Sequence, residues 1–297
     1  KKITLKFFDI RNRNKLKFFV NSNKVQIIFH LAAQPLVIES YKKPYSTYEI
    51  NTMGTLNVLE TVRQANTVKS VICVTSYQCY ENDLSTKTFK ESDRLGGKDP
   101  YSASKASAEI IIKSYQESFF KNKKCGIASA RVANVIGGGD WAKNRLIPDV
   151  IKSIVKNKAI SIRNPNFIRP WLHILEPIYG YLILGEKLFN NPKKYSGPWN
   201  FGTKKNNIAN VLKIVNEIIE YWGKGNIRLE KKQKYFEQEN FKLNINKSKK
   251  ILKWIPKYSI KKSIQITAEW YKKVLIQKLN AEQITKKQIN NYMNESK

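Results

Sequence analysis

Three short and almost unbroken apolar runs, Val25 to Leu31, Ser70 to Thr75 and Ile127 to Val132, constrain the fold of this chain more than any other feature. A strand buried on both faces reads as a continuous hydrophobic run, and such strands belong to parallel sheets covered by helices. Thr47 to Gln64 has helical period, with Met53, Leu56, Val58 and Leu59 on the inward side, and Tyr101 to Phe120 is a long helix opened by Asp99-Pro100. Parallel neighbours need a crossover of about a dozen residues or more, which helices of this length provide. The pattern predicts an α/β protein with a doubly wound parallel sheet.

The flanking segments are less regular. Ile3 to Phe8 alternates weakly and predicts a strand ending in Asp9-Ile10-Arg11, followed by a short helix over Asn14 to Asn21. Beyond Gly137-Gly138-Gly139 come an amphipathic helix over Ile147 to Val155, a polar loop at Asn164-Pro165, a helix over Glu176 to Phe189 and a strand over Trp199 to Phe201. This arrangement predicts a first domain over 1–136 and a smaller α+β region over 137–280, with 171–202 returning to the core of the first. Residues 281–297 are polar and read as a tail.

A hydrophobic fraction of 41% in 297 residues excludes a disordered chain and allows a large core. The net charge of +31, from 54 Lys and Arg against 23 Asp and Glu, raises the question of a nucleic-acid surface. The lysines are scattered among abundant Ile and Asn without an Arg-rich arm, so no nucleic-acid partner is expected. Cys73, Cys79 and Cys125 form no metal-ligand spacing and leave one thiol over in any pairing, so no metal and a cytoplasmic location are expected. No apolar stretch approaches the length of a membrane span.

Tyr101 and Lys105 stand four apart and so share one face of the predicted helix. A nearby ammonium favours the phenolate, which suits Tyr101 to proton exchange with a substrate hydroxyl. Tyr258 and Lys262 have the same spacing, but only Tyr101 is accompanied by a strand-end hydroxyl, Ser76, able to hold a substrate oxygen. At Leu31-Ala32-Ala33-Gln34 a buried strand ends in small residues at the sheet edge where such folds bind ligands. His30, just before them, reads as a capped core histidine rather than a catalytic one. Asp9 either receives an adenine amino group or caps the next helix. Asn134 with Gly137 to Gly139 either cradles a pyrophosphate or turns the chain, and Arg145, Arg163 and Arg169 supply charge for phosphate.

Five blocks in order carry a resemblance: His30-Leu-Ala-Ala-Gln-Pro-Leu-Val37, Asn51-Thr-Met-Gly-Thr55, Asp99-Pro-Tyr-Ser-Ala-Ser-Lys105, Asn134-Val-Ile-Gly-Gly-Gly-Asp-Trp141 and Ile168-Arg-Pro-Trp-Leu-His-Ile-Leu-Glu-Pro177. Together they resemble the CDP-glucose 4,6-dehydratases, extended short-chain dehydrogenase/reductases with a Rossmann-like sheet, over about Ile3 to Leu275. The resemblance implies NAD as cofactor, CDP-glucose or a related sugar nucleotide as substrate, a homodimer or larger homo-oligomer, and a lyase product, CDP-4-dehydro-6-deoxyglucose. It implies catalytic roles for Ser76, Tyr101 and Lys105. Asp9, Ile10, Leu31, Ala32, Ala33 and Asn51, with Tyr101 and Lys105, would hold the cofactor. Gln34, Asn134, Arg145, Arg169 and His173 would hold the substrate.

The chain departs from that pattern twice. Tyr77-Gln78 stands where these enzymes carry Asp-Lys, and a glutamine is neither acid nor base. Their Gly-x-x-Gly-x-x-Gly turn does not occur in the 297 residues, which predicts that the first β-α-β unit is missing. A CDP-sugar epimerase or reductase, or a noncatalytic sugar-nucleotide-binding homologue, stands as the alternative.

Overall fold

The central sheet has four strands in the order Ile27–His30, Ser70–Val74, Gly126–Val132, Gly197–Phe201, and the first three are mutually parallel. A computed structural model describes residues 3–82, 87–121, 124–204, 207–230, 235–236 and 240–295. The expected buried runs account for these strands: Val71, Ile72, Ile127 and Ala128 are fully enclosed. The Val and Ile side chains among them each stabilise by roughly 1.5–3 kcal/mol when removed from water.

The chain divides into two units. The first comprises Lys1–Asn82, Glu91–Arg131 and Tyr181–Trp199, so the switch falls at residue 132 rather than after 136. The return from the second half begins at Tyr181 and ends at Trp199, a narrower span than 171–202. Within this unit the helices Arg13–Ser22, Gly54–Gln64 and Pro100–Tyr115 contribute Val20, Val58, Leu59, Val62 and Ile112 to one cluster with Val71 and Ile127. Residues 3–8 form no strand among the described residues, and Ile3, Leu5 and Phe7 are exposed, because alternation makes a strand only where a neighbour completes its hydrogen bonds. The predicted helix over Thr47 to Gln64 contains a π turn, Glu49–Met53, between Pro44–Tyr48 and Gly54–Gln64. The wider turn rotates Met53 outward, where it is 48% exposed.

The second unit comprises Asp83–Lys90, Val132–Gly180 and Asn200–Lys297. Its core gathers Ile147, Val150, Ile151 and Ile154 of the helix Leu146–Val155 with Ile214, Val215 and Ile218 of Val211–Trp222 and Ile264 of Ile260–Leu275. Short strand pairs border it, including Asn134–Ile136 beside Trp171–His173 and Ile160–Ile162 beside Ile227–Leu229. In place of the expected polar tail, Ala281–Asn294 is a helix with Ile284 and Tyr292 buried. Tyr292 donates to the Glu176 carboxylate at 2.8 Å and sets its ring edge-on to Tyr258, while Thr285 accepts from the Trp270 indole and Gln288 donates to the Ile266 carbonyl, both at 2.9 Å, so apolar and polar contacts together anchor the segment.

Candidate functional site

In the first unit, the chemistry-bearing residues lie just beyond the carboxyl ends of Ile27–His30 and Ser70–Val74 and in the first turn of Pro100–Tyr115. Asp99 caps that helix, its carboxylate accepting from the Ser102 amide at 2.9 Å and hydroxyl at 2.6 Å, and Pro100 needs no hydrogen-bond partner there. Tyr101 follows, buried, its amide donating to Ser40 Oγ at 3.1 Å. One turn on, the Lys105 ammonium is buried and donates to the Val74 carbonyl at 3.4 Å, its single acceptor among the described residues. Burial lowers its pKa to about 8.

Ser76 caps the short turn Tyr77–Cys79 and accepts from the Gln78 amide at 3.2 Å. Its own O–H meets no acceptor among the described residues, so the hydroxyl keeps a proton to offer. Tyr77 is 2% exposed, and Gln78 Nε2 donates to its hydroxyl at 3.3 Å. Gln78 Oε1 lies 3.2 Å from the Ser102 hydroxyl, whose shorter bond goes to Asp99.

Four predicted contacts already hold partners within the chain. Asn51, in the π turn, accepts from the Gln34 amide at 2.8 Å and donates to the Gln34 carbonyl at 3.0 Å and Ser104 Oγ at 2.9 Å. Its side chain positions the loop after the first strand, and no amide proton remains for a cofactor. Gln34 folds back on the same loop, donating to the Leu36 carbonyl and Thr47 hydroxyl and accepting from the Leu36 amide at 2.6 Å, so its side chain is not open to a substrate. Asp9 is held by Arg11, which donates to both its oxygens at 2.8–3.0 Å, and Asn12 caps the following helix instead. The guanidinium holds the Asp9 carboxyl down at about 2. Ile10 and Arg11 are pinned through their carbonyls to Asn57, and Gly54 lets Ile10 approach so closely that a Cβ there would fall 2.9 Å from its methyl. Leu31 and Ala32 are exposed and Ala33 half-buried, leaving the loop surface open.

His30 is a core histidine. Thr55 Oγ1 donates to the Asn51 carbonyl at 2.7 Å, so at 3.1 Å it accepts from His30 Nε2, which therefore carries the proton. Burial, and secondarily the Lys105 charge, lowers its pKa to about 4.

In the second unit, Asn134 and His173 sit on neighbouring strands, with Asn134 opposite Trp171 and Ile136 opposite His173. His173 is 1% exposed, Nδ1 accepting from the Leu175 amide at 3.4 Å, so it lies within the core rather than at a surface. Arg145 donates to Asp140 at 2.9 Å and stays half-exposed. Arg169 is buried with its guanidinium 5.1 Å from the Phe167 ring. The triple glycine serves packing: a Cβ on Gly138 would stand 2.1 Å from the Trp270 indole. Tyr258 precedes Ser259, the N-cap of Ile260–Leu275, so Tyr258 and Lys262 do not share a helical face.

Sequence reasoning missed a buried cluster behind the loop. Glu109 accepts from the Thr75 hydroxyl at 2.5 Å, the Ser129 hydroxyl at 2.8 Å and Arg131 at 2.7 Å, and Arg131 donates to the Tyr80 hydroxyl at 2.9 Å. The available signal was Arg131 inside an apolar strand run and Glu109 one turn beyond Lys105.

The profile of the GDP-mannose 4,6 dehydratase family matches residues 1–267. The chain is 40% identical over 270 residues to the CDP-glucose 4,6-dehydratase of Salmonella typhimurium, covering 89% of this chain and 75% of that one. It belongs to the GDP-mannose 4,6-dehydratase family. Solved structures share the fold of this family member. A UDP-glucose 4-epimerase from Thermotoga maritima with UDP-glucose superposes with a TM-score of 0.79 at 20% identity, covering 90% of this chain and 84% of that one. A dTDP-glucose 4,6-dehydratase from Streptomyces venezuelae with NAD bound gives 0.78 at 20%, covering 90% and 78%. Among the described residues, no helix is long and apolar enough to cross a membrane.

Proposed function

We propose that this chain is an NAD-dependent CDP-glucose 4,6-dehydratase, a hydro-lyase forming CDP-4-dehydro-6-deoxyglucose. The observation that carries the reading is the 40% identity to the Salmonella typhimurium enzyme across 89% of the chain. The chain's own chemistry supports it: Tyr101 and Lys105 on one helical face, with a Ser76 hydroxyl whose proton is unassigned among the described residues.

The donor set fits the ribose and adenine parts of a dinucleotide. Lys105 has a single carbonyl acceptor among the described residues and keeps ammonium protons for ribose hydroxyls, and Leu31, Ala32 and Ala33 leave an open loop surface at the end of the first strand. Asp9 and Ile10 belong to the adenine end, where Arg11 keeps the carboxylate ionised. When bound, the nicotinamide supplies hydride exchange with the sugar.

Tyr101 takes the proton of the sugar C4 hydroxyl, and Ser76 holds the oxygen by donating to it. Lys105 keeps positive charge beside the Tyr101 phenolate that accepts this proton, which becomes a neutral phenol. Arg145 and Arg169 bind the diphosphate through charge-assisted hydrogen bonds, and Asn134 and His173 shape the substrate side from within their strands. The working form is a homodimer or larger homo-oligomer.

Removal of the C5 proton and loss of the C6 hydroxyl require a base and an acid, and at Tyr77-Gln78 neither is a carboxyl group or an amine. The proposed enzyme therefore eliminates water slowly. Incubation with CDP-glucose and NAD in deuterated water, followed by NMR, tests the function. A C6 methyl group with deuterium at C5 is the expected product, and unchanged CDP-glucose at every enzyme concentration overturns the reading.

A further inference from the structure

The loop that carries Ser76, Tyr77 and Gln78 is fastened at both ends to one buried ion pair. At its start, Thr75 donates its hydroxyl to Glu109 Oε1 at 2.5 Å. At its end, the Tyr80 hydroxyl accepts from Arg131 at 2.9 Å, with the guanidinium 4.9 Å from the Tyr80 ring centre. Glu109 and Arg131 meet at 2.7 Å, and their side chains are 3% and 4% exposed. Two further bonds fix the pair itself: Ser129 donates to Glu109 at 2.8 Å, and Arg131 donates to the Glu91 carbonyl at 3.0 Å.

A buried pair of this kind contributes little net stability, because desolvating two charges offsets most of their attraction. What it does provide is geometry, since hydrogen bonds to charged groups are short and directional. Glu109 lies on the helix Pro100–Tyr115, one turn beyond Lys105 and two beyond Tyr101. The helix and the loop thus reach a common anchor: Glu109 projects from the first, and Thr75 immediately precedes Ser76 in the second. Ser76 directly follows the clamped Thr75 and Lys105 lies one helical turn before Glu109, while nothing in the proposed proton transfers uses Glu109 or Arg131 directly.

We infer that Glu109 and Arg131 are positioning residues that fix the Ser76–Gln78 loop against the Tyr101–Lys105 face and so set the rate of the chemical steps. The inference rests on the function proposed above, for which the clamp sets kcat rather than substrate binding. A displacement of about 1 Å in a reacting group costs up to about 100-fold in rate.

Truncating either charge would strand the other in the core and endanger folding, so the test removes only the neutral arms. Thr75→Val and Tyr80→Phe keep shape while deleting one hydroxyl each. In full-length protein with NAD and CDP-glucose, each should lower kcat about 10- to 100-fold with KM within about twofold, and Thr75→Ser should restore kcat. Hydrogen exchange read by mass spectrometry provides a second measure that needs no turnover. Amides 76–79 should exchange at least about tenfold faster in both variants, while those of 106–112 stay unchanged. Parent protein without turnover of CDP-glucose defeats the proposed function, and exchange alone then decides the clamp. Unchanged exchange at 76–79, or kcat within about twofold of the parent in both variants, overturns the inference.

Discussion

Gln78 donates its side-chain amide to the Tyr77 hydroxyl at 3.3 Å, so the two loop residues that stand in place of an acid and a base are hydrogen-bonded to each other. Both groups are neutral, Tyr77 is 2% exposed, and Ser102 sits on the far side of the Gln78 amide. The loop retains a hydroxyl at Ser76 for holding a substrate oxygen, and burial raises the Cys79 pKa so that its thiol stays protonated near neutral pH. The redox and elimination halves of the proposed reaction are therefore separable in this chain.

Tyr101→Phe should lower C4 oxidation by roughly 10²- to 10⁴-fold, the usual loss when a general acid or base is removed. Sugar-nucleotide binding should be nearly unchanged, because in the proposed function the phenol transfers a proton and makes no diphosphate contact. Tyr258→Phe keeps the ring packed edge-on against Tyr292 and should leave turnover unaltered. Absorbance of reduced NAD in single-turnover mixing measures both. Equal losses in the two variants would mean that the other tyrosine serves the reaction.

The sheet was legible because doubly buried strands write themselves as apolar runs, and the Asp99-Pro100 start marked the helix that presents Tyr101 and Lys105. The roles of Asn51 and Gln34 were not legible. Asn51 is spent on Gln34, 17 residues away, and on Ser104, 53 residues away, and no local pattern reports such bonds. Residues 3–8 alternate like a strand but lack a ladder partner among the described residues, while the helix Ala281–Asn294 is held by Ile284 and Tyr292 in a stretch too polar to announce a core contact. The Tyr258 decoy was decidable in principle, since Ser259 is a good N-cap and puts the tyrosine outside the helix.

Lys105 sets an alkaline limit on activity. Burial lowers its pKa to about 8, with Glu109 the charged neighbour opposing the shift, so the ammonium is present below that pH and lost as pH rises through it. His30 is neutral in this range, and burial keeps the Cys73 and Cys79 thiols protonated. The pH profile of kcat should fall on its alkaline side near 8, and Lys105→Arg should move that fall upward while lowering the plateau. A profile flat to about pH 10 in the unmodified protein would remove Lys105 from the mechanism.

Two buried histidines make the fold acid-sensitive. Burial lowers the pKa of both His30 and His173 to about 4, below the unfolded value near 6.5. The unfolded chain thus binds more protons between these limits, and the stability they contribute is complete above about 6.5 and lost as pH falls through 4. From pH 7 to 5 the loss is about 2 kcal/mol for each histidine. Urea unfolding at the two pH values measures it, and His30→Gln should remove about half of the difference. An unchanged difference in that variant would show that His30 is not buried as a neutral ring.

The loop decides how far the reaction runs. With Tyr77 and Gln78 as they stand, C4 oxidation and return should proceed while elimination lags by roughly 10²- to 10⁴-fold, the cost of a missing acid or base. Tyr77→Asp combined with Gln78→Lys restores one group able to donate a proton to the departing C6 hydroxyl and one ammonium beside it, and should raise elimination without changing C4 oxidation. The exchange also removes a phenol from a site that is 2% exposed, so the variant's thermal midpoint must be measured alongside its rate. In deuterated water, elimination writes deuterium at C5 and a methyl group at C6, whereas C4 turnover alone writes neither, so one NMR spectrum separates the two halves. Fast formation of the 6-deoxy-4-keto sugar by the unmodified loop would assign the acid to another residue. A folded double variant with no gain would remove positions 77 and 78 from the elimination altogether.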